Sequence, residues 1–220
     1  MLAEKYRKVI ETINEAARRS NRDPGDIKLI AVTKTVGIEA VRQAFSLGIN
    51  DFGENRVQDA AAKVAGLPEV RWHFIGHLQT NKVKNVVPAY SLIHSLDRLS
   101  LAEALQGYAE KLDREVEVLI QVNVSGESSK YGMQPEELPG FLSKISAFNC
   151  LKVRGLMTMA PFVDDPEEAR PFFQKLRLLR DENTGKGFEL KELSMGMTND
   201  YTVAVEEGAT MVRIGSALFS

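Results

Sequence analysis

Lys34 is the first residue whose type and position suggest chemistry. It closes an apolar, β-branched run in the segment "IAVTKT" (30–35) that is otherwise typical of a buried strand. Lysine is rarely fully buried, and an amine that loses its proton in an apolar setting becomes a nucleophile. The alternative is that the strand simply ends here and Lys34 points into water. The rest of the chain has to decide between these two interpretations.

The C-terminal segment "MVRIGSALFS" (211–220) suggests a second chemistry, the binding of an anion. Gly215 follows a predicted strand and Ser216 opens a short predicted helix, where free backbone N–H groups can bind phosphate. The segment "LSMGMTND" (193–200) ends another predicted strand and supplies the Ser194 hydroxyl and a flexible turn at Gly196. A routine strand-to-helix turn would show the same glycine, and this alternative stays open.

Arg213 lies two residues before Gly215 and therefore faces the same side of its predicted strand. A guanidinium donates hydrogen bonds and accepts no proton in the physiological range. If a bound ligand placed a pyridine nitrogen against Arg213, the guanidinium would donate a hydrogen bond and leave that nitrogen unprotonated. The pyridine ring of the ligand would then be a weaker electron sink than one whose nitrogen meets an aspartate. An arginine paired with a carboxylate inside the fold is the alternative.

Four further reactive side chains are better explained by simpler roles. His73 and His77 lie four apart on one predicted strand, hence on one face, but two histidines without a third ligand do not predict a metal site. Lys130 lies in the predicted loop "SGESSKYGM" (125–133), and we expect its side chain to be solvated, although it could approach the entrance of a ligand site. Cys150 precedes an apolar strand and is expected to be a packed thiol. We predict neither a metal ligand nor a catalytic residue among them.

Eight apolar, β-branched runs alternate with helical stretches and must position these side chains. The runs cover 27–34, 49–55, 71–77, 91–96, 115–124, 151–159, 192–197 and 209–215. Helical periodicity is clear over 37–48, 97–113 and 198–208 and weaker over 79–90 and 135–148, and an amphipathic helix opens the chain. Eight β-then-α units predict an α/β protein, a single-domain (β/α)8 TIM barrel over residues 1–220 with an extra N-terminal helix. A doubly wound open sheet is the alternative, although the first βα turn lacks the G-x-G-x-x-G fingerprint of dinucleotide-binding folds.

A closed barrel would bring the three candidate segments into one site. Active sites of this fold lie at the C-terminal ends of the strands, and Lys34 is predicted to be the last residue of strand one. Strand eight would pair with strand one at a spacing of about 4.8 Å, so a phosphate at Gly215 and Ser216 would lie close to the Lys34 amine. One ligand with a phosphate and a carbonyl would bridge these groups, and pyridoxal 5′-phosphate has both.

The composition is that of an ordinary globular protein of the cytoplasm. A net charge of −2 gives no general attraction to nucleic acid or anionic membranes. The single cysteine excludes an internal disulfide and suits a reducing compartment. No stretch is apolar for long enough to span a bilayer, and acidic residues in the N-terminal segment argue against a signal peptide. We predict no membrane and no nucleic-acid partner.

Seven motifs in order resemble the pyridoxal phosphate homeostasis protein family, the PROSC/YggS-like proteins. They are "AVTKT", "DFGENRVQ", "WHFIGHLQTNK", "LIQVNVSGESSKYGM", "VRGLMTMAP", "LSMGMTNDY" and "GATMVRIGSALF", and they span nearly the whole chain. The resemblance implies a barrel like the N-terminal barrel of alanine racemase, with pyridoxal phosphate held as an internal aldimine on Lys34. It implies that Arg213 contacts the ring nitrogen and that the phosphate falls to Gly215, Ser216 and Ser194. Two further residues at predicted strand ends are expected to line the pocket: Asn55 of "GEN" and His77 of "IGHLQ".

Three functions are compatible with such a site. We predict the first, a pyridoxal phosphate-binding protein of intracellular vitamin B6 homeostasis without significant turnover. The second is a racemase-type enzyme, which would need a further β-domain with a tyrosine acid/base; the sequence stops five residues after Gly215 and is expected to lack it. A Schiff-base aldolase or phosphosugar enzyme is the third, disfavoured by Arg213 together with the racemase-like motifs. Cofactor-dependent apo-enzymes are candidate partners, and a monomer is expected because racemase dimers depend on the second domain.

Overall fold

Eight parallel strands close into a barrel in the order of the sequence. The computed structural model describes residues 1–185 and 187–220. Each strand pairs in parallel with the next one along the chain, and the last pairs with the first. The predicted (β/α)8 barrel is confirmed, and the open-sheet alternative is wrong. The strands are β1 (Lys28–Val32), β2 (Asp51–Glu54), β3 (Arg71–Phe74), β4 (Leu92–Leu96), β5 (Val116–Gln121), β6 (Leu151–Met157), β7 (Glu192–Ser194) and β8 (Met211–Ile214).

Helices connect the strands and cover the outside of the barrel. Within the described ranges, none of them is long and apolar enough to cross a membrane. They are α1 (Leu2–Arg19), α2 (Ile38–Ser46), α3 (Val57–Gly66), α4 (Val83–Val86), α5 (Leu99–Lys111), α6 (Leu138–Ile145), α7 (Arg170–Asn183), α8 (Tyr201–Glu206) and α9 (Ser216–Phe219).

The predicted extra N-terminal helix is α1. Its residues Val9, Ile13, Ala16 and Ala17 are buried and recur at helical spacing, so they form one apolar stripe. The helix packs against α8 and α9. It thereby braces the elements that flank the last strand of the barrel.

The weakly predicted helix over 135–148 is present in a shorter form. A 3-10 turn at Pro135–Glu137 leads into α6, and Pro139 is the second residue of that helix. Proline is tolerated there because the first helical N–H groups have no partner within the helix. The internal proline therefore marks the start of the helix and does not break it.

Seven of the eight strands end earlier than the apolar pattern predicts, and β4 ends at Leu96 as predicted. β1 ends at Val32, although the apolar run continues to Lys34, which instead lies in the turn formed by the hydrogen bond from Val36 N to Thr33 O. The prediction that Lys34 is the last residue of strand one is therefore wrong by two residues. The reason is that the apolar pattern continues past the ends of the strands, as at Ile75, which follows β3 and lines the mouth of the barrel.

The pairing of β8 with β1 closes the barrel as predicted. Ile30 lies opposite Arg213 and Ala31 opposite Ile214, so the loops after these strands emerge side by side. β6 and β7 approach closely at Gly155, where a Cβ would lie 1.9 Å from the carbonyl oxygen of Glu192. Only glycine fits at this point of the closed sheet.

The barrel interior holds an apolar cluster and a set of buried polar side chains. Inward-facing residues alternate along each strand, so both sets come from every second position. The apolar cluster comprises Ile30, Leu92, Leu119, Met157 and Met211. The buried polar set includes Asp51, His73, His94, Ser194 and Arg213.

Candidate functional site

A cavity of about 570 Å³ opens at the C-terminal ends of the strands. This volume suits a small-molecule ligand, and the position is where barrel enzymes and binding proteins hold theirs. The tertiary structure thus brings the first and last strands of the chain to one site. Six predicted site residues line the cavity: Lys34, Asn55, His77, Arg213, Gly215 and Ser216.

Lys34 reaches the cavity from the turn after β1. Its side chain is exposed rather than buried, so solvent reaches the amine through the mouth. Among the described residues it is the one lysine on the cavity wall. Lys34 is therefore both open to solvent and on the wall of a ligand-sized space, and both interpretations of this residue stay open.

A buried ion pair holds the turn that carries Lys34. The Lys63 ammonium of α3 donates to the carbonyl oxygens of Thr33, at 2.7 Å, and Val36, at 3.2 Å. It also lies 2.5 Å from the Glu54 carboxylate, which accepts a hydrogen bond from the Thr33 hydroxyl at 2.6 Å. Sequence patterns gave no sign of this cluster, because a lysine in a helix is normally solvated.

Arg213 is buried on the cavity wall and is held by neutral groups. One Nη donates to Ser194 Oγ at 2.6 Å, and the other donates to the carbonyl oxygen of Thr158 at 2.8 Å. Burial lowers the pKa of Arg213 to about 10, against an opposing effect of Asp200. Within the described ranges it makes no ion pair, so the alternative of an arginine paired with a carboxylate is not what the structure contains.

Ser194 lies inside the barrel rather than at the cavity mouth. It is fully buried, and its hydroxyl joins Arg213 to His94 Nδ1, which is 2.9 Å away. This corrects the predicted position beside the phosphate site. The reason is that Ser194 is the last residue of β7 and points inward, while the loop that forms the mouth begins after it.

Thr198 stands where Ser194 was expected, and sequence reasoning missed it. Its hydroxyl lies 3.1 Å from the Ser216 hydroxyl, and both residues line the cavity. The turn before it needs Gly196, whose φ of +90° and close contact with Ala204 exclude a side chain. The carboxylate of Asp200 accepts from the Met197 N–H at 2.6 Å and fixes the same turn. The sequence signal that could have identified Thr198 is the threonine in "MGMTND".

His73 and His77 belong to different environments. His73 lies within β3, and its buried side chain points into the barrel. β3 ends at Phe74, so His77 lies in the loop at the mouth. The prediction that both lie on one strand face is therefore wrong. His73 is buried between Asp51 and His94. The described part of the chain contains no cluster of metal ligands.

An aromatic stack forms one side of the cavity mouth. The rings of His77 and Tyr131 are parallel within 17°, with centroids 4.1 Å apart, and Tyr131 is half exposed. Lys130, next to it, is partly buried and does not reach the cavity wall. Cys150 packs against the core as predicted. Tyr131 is a wall residue that sequence reasoning did not single out.

The chemistry available at this mouth follows from three groups. Lys34 supplies a primary amine that can attack a carbonyl carbon. Arg213 supplies a buried hydrogen-bond donor suited to a ligand lone pair. Ser216, Thr198 and the backbone at Gly215 supply small polar groups where an anion can approach closely. A ligand that uses all three carries a carbonyl, a lone-pair nitrogen or oxygen, and an anionic group.

Comparison with known proteins gives consistent matches over the full length. The family described as alanine racemase, N-terminal domain, matches residues 7–220. A pyridoxal phosphate homeostasis protein from Aquifex aeolicus is 45% identical over 219 residues, which cover 98% of this chain and 96% of the relative. One from Pseudomonas aeruginosa is 42% identical, with coverage of 99% and 94%. The structure of PipY from Synechococcus elongatus, with PLP bound, is similar at a TM-score of 0.87 and 36% identity, and the match covers 100% of both chains.

The closed barrel and its polar mouth define a ligand-binding barrel of the alanine racemase N-terminal type. More particularly, the chain belongs to the pyridoxal phosphate homeostasis protein family. The family resemblance carried by the seven sequence motifs is thereby confirmed.

Proposed function

We propose that this protein binds pyridoxal 5′-phosphate on Lys34 and serves the homeostasis of this cofactor. The observation that carries the proposal is that Lys34 is, among the described residues, the one lysine on the wall of a ligand-sized cavity whose other polar groups match the cofactor. The names of the Aquifex and Pseudomonas relatives and the ligand of PipY support it. The single cysteine supports a reducing compartment, and we place the function in the cytoplasm.

The described residues fit each part of the cofactor. We assign the aldehyde to the Lys34 amine, the ring nitrogen to Arg213, and the phosphate to Gly215, Ser216 and Thr198. The adjacent threonine and serine hydroxyls support the phosphate assignment. Ser194 acts through Arg213 rather than on the cofactor, because its hydroxyl is already engaged there. We assign Asn55 and His77, which also line the cavity, to the wall beside the ring.

We propose that the protein holds the cofactor without significant substrate turnover. When bound, pyridoxal phosphate supplies an electron sink for reactions at the α-carbon of amino acids. Arg213 weakens that sink because a guanidinium donates to the ring nitrogen and leaves it unprotonated. The residue that recognises the cofactor therefore also limits its reactivity.

We propose that the protein is a monomer. We also propose that it delivers the cofactor to apo-enzymes that need it. Exposure of the site supports such a transfer, since Lys34, Tyr131 and Phe162 are all exposed at the mouth. Light scattering of the purified protein tests the monomer. Activation of an apo-enzyme by the loaded protein, measured against an equal amount of free cofactor, tests the transfer.

Titration with pyridoxal phosphate followed by borohydride reduction tests the site. We expect a visible absorption band and a reduced adduct that peptide mapping places on Lys34. Lys34→Ala should lose the band while its phosphate contacts retain weak binding. Lys130→Ala is the matched control and should keep the adduct. An adduct mainly on Lys130, or no adduct at all, would contradict the proposal.

A further inference from the structure

A continuous hydrogen-bond chain crosses the barrel interior and ends at Arg213. The Asp51 carboxylate lies 2.9 Å from His73 Nε2, and His73 Nδ1 lies 3.0 Å from His94 Nε2. His94 Nδ1 lies 2.9 Å from Ser194 Oγ, which accepts from Arg213 at 2.6 Å. All five side chains are buried. The strands that contribute them are β2, β3, β4, β7 and β8.

The Asp51 end of the chain, together with the burial that disfavours the charged form of both histidines, fixes the direction of every hydrogen bond in it. The Asp51 carboxylate can only accept, so His73 donates from Nε2, and a neutral His73 then accepts at Nδ1. His94 then donates from Nε2 and accepts at Nδ1 from the Ser194 hydroxyl. The lone pairs of Ser194 stay free to accept from Arg213, which can only donate. With both histidines neutral, each carries its proton on Nε2.

The charges around the chain agree with this assignment. Burial of Asp51 would raise its pKa, but hydrogen bonds from Arg71 and His73 outweigh burial and hold the pKa well below its usual range. Burial lowers the pKa of His73 and, more strongly, that of His94. The cationic groups that face the histidines, Lys28, Arg71 and Arg213, also disfavour their protonation, while Asp51 opposes this at His73.

We propose that Asp51, His73, His94 and Ser194 form a one-way chain that positions Arg213 as the hydrogen-bond donor for the ring nitrogen of the ligand. The chain works by forcing the Ser194 hydroxyl hydrogen toward His94, which keeps an acceptor in place for the guanidinium. These four are positioning residues, since none of them needs to touch the ligand. The ring-nitrogen part rests on the proposed function, whereas the direction of the chain does not.

The direction of the chain is tested on the protein without ligand. The sequence has three histidines, so long-range ¹H–¹⁵N correlation spectra of the imidazoles are simple to assign with a His77→Gln variant. We expect His73 and His94 to be neutral Nε2–H tautomers throughout the neutral pH range. A proton on Nδ1 of His94, or a charged His73 at neutral pH, would overturn the proposal.

Action through the ring nitrogen is tested with a cofactor analogue that has C–H in place of that nitrogen. We expect Ser194→Ala to weaken binding of pyridoxal phosphate about tenfold or more, as for the loss of a hydrogen bond to a charged group. Binding of the analogue should change little, because it offers Arg213 no lone pair. Ser194→Cys keeps the size of the side chain with a weaker acceptor and should give a smaller effect in the same direction.

The matched control is Ser95→Ala, which removes another buried hydroxyl of the sheet, one without a hydrogen-bond partner among the described residues. It should leave the preference for pyridoxal phosphate over the analogue unchanged. Equal weakening of both ligands by Ser194→Ala would mean a merely structural role and would overturn the proposal. Failure of the unmodified protein to bind pyridoxal phosphate would instead contradict the proposed function, and the spectra of the ligand-free protein would still decide the direction of the chain.

Discussion

Arg213 is a buried cation whose partners are a hydroxyl and a carbonyl rather than a carboxylate. With a pKa of about 10 it stays protonated at neutral pH. Toward the cavity it can therefore act only as a donor, which favours a ligand with a lone pair over one with an N–H at that position. At the scale of single residues, this property decides how the proposed cofactor behaves.

Amino-acid turnover should be absent or marginal even when the cofactor is bound, because Arg213 leaves the ring nitrogen unprotonated. The measurement is exchange of the Cα hydrogen and loss of optical activity of L- or D-alanine in deuterated water. Free pyridoxal phosphate at the same concentration is the control. Racemisation at rates typical of enzymes, roughly 1–10³ per second, would contradict the carrier and favour the racemase-type alternative.

The hydroxyls of Thr198 and Ser216 should distinguish pyridoxal phosphate from pyridoxal. The variants Thr198→Val and Ser216→Ala each remove one hydroxyl at the proposed phosphate position. We expect each to weaken binding of pyridoxal phosphate about tenfold, since hydrogen bonds to charged groups are the stronger ones. Binding of pyridoxal should stay the same.

Ser46→Ala is the control for this pair, because it removes a hydroxyl whose only hydrogen bond among the described residues is to the carbonyl of Gln43 in α2. If the unmodified protein binds pyridoxal as tightly as pyridoxal phosphate, the phosphate has been assigned to the wrong place. The dissociation constants come from titrations followed by absorption.

At the scale of elements, the turn after β1 depends on a helix that is distant in sequence. Lys63 of α3 fixes two carbonyl oxygens of this turn and pairs with Glu54 at the end of β2. Both charged side chains are buried, so removing one partner leaves an uncompensated charge in the protein. The position of Lys34 is therefore coupled to the integrity of this pair.

Lys63→Met should lower the free energy of unfolding by about 3–5 kcal/mol because Glu54 is left buried without its cation. Chemical denaturation measures this loss. The rate at which the borohydride-trapped adduct forms on Lys34 should fall as well, because the turn loses both of its ammonium contacts. Lys111→Met, an exposed lysine at the end of α5, is the control.

The double variant Lys63→Met/Glu54→Gln separates the two effects. It removes both charges, so most of the stability should return. Adduct formation should stay slow, since the carbonyl oxygens of Thr33 and Val36 still lack their donor. Full recovery of adduct formation in the double variant would mean that Lys63 does not position the turn.

At the scale of the whole molecule, the buried histidines link stability to pH. Burial lowers the pKa of His94 and His73 in the folded protein, while both titrate near pH 6.5 in the unfolded chain. Below about pH 6.5 the unfolded chain therefore binds more protons, and the free energy of unfolding falls as the pH is lowered. The slope is at most about 1.4 kcal/mol per pH unit for each histidine.

Urea unfolding at a series of pH values between neutral and mildly acidic measures this slope. The variant His73→Leu/His94→Leu removes both groups and should flatten the dependence, whatever its stability at neutral pH. If the slope persists in this variant, the pH dependence of the free energy of unfolding comes from other groups. Asp51 acts at lower pH, because its lowered pKa gives stability that is lost only as the pH falls below about 4.

The number, order and direction of the strands could be predicted from the sequence. Alternating β-branched runs and amphipathic helices are local patterns, and eight such units favour a closed parallel barrel. Because parallel strands end at one edge, the same pattern predicted that Lys34, Arg213, Gly215 and Ser216 share a site, and they line one cavity. The role of each residue toward a ligand and the single-domain organisation of the chain stay predictions.

Only the tertiary structure decided where each strand ends and what each inward side chain contacts. Strand ends depend on the last ladder hydrogen bond, and this is why Lys34 lies in a turn and Thr198, not Ser194, faces the mouth. The contact between His94 and Ser194 joins residues 100 positions apart. It exists because closure of the sheet into a barrel directs both side chains into the barrel interior. Periodicity along the chain gives the face of a residue, whereas its partner across the barrel is set by register and closure.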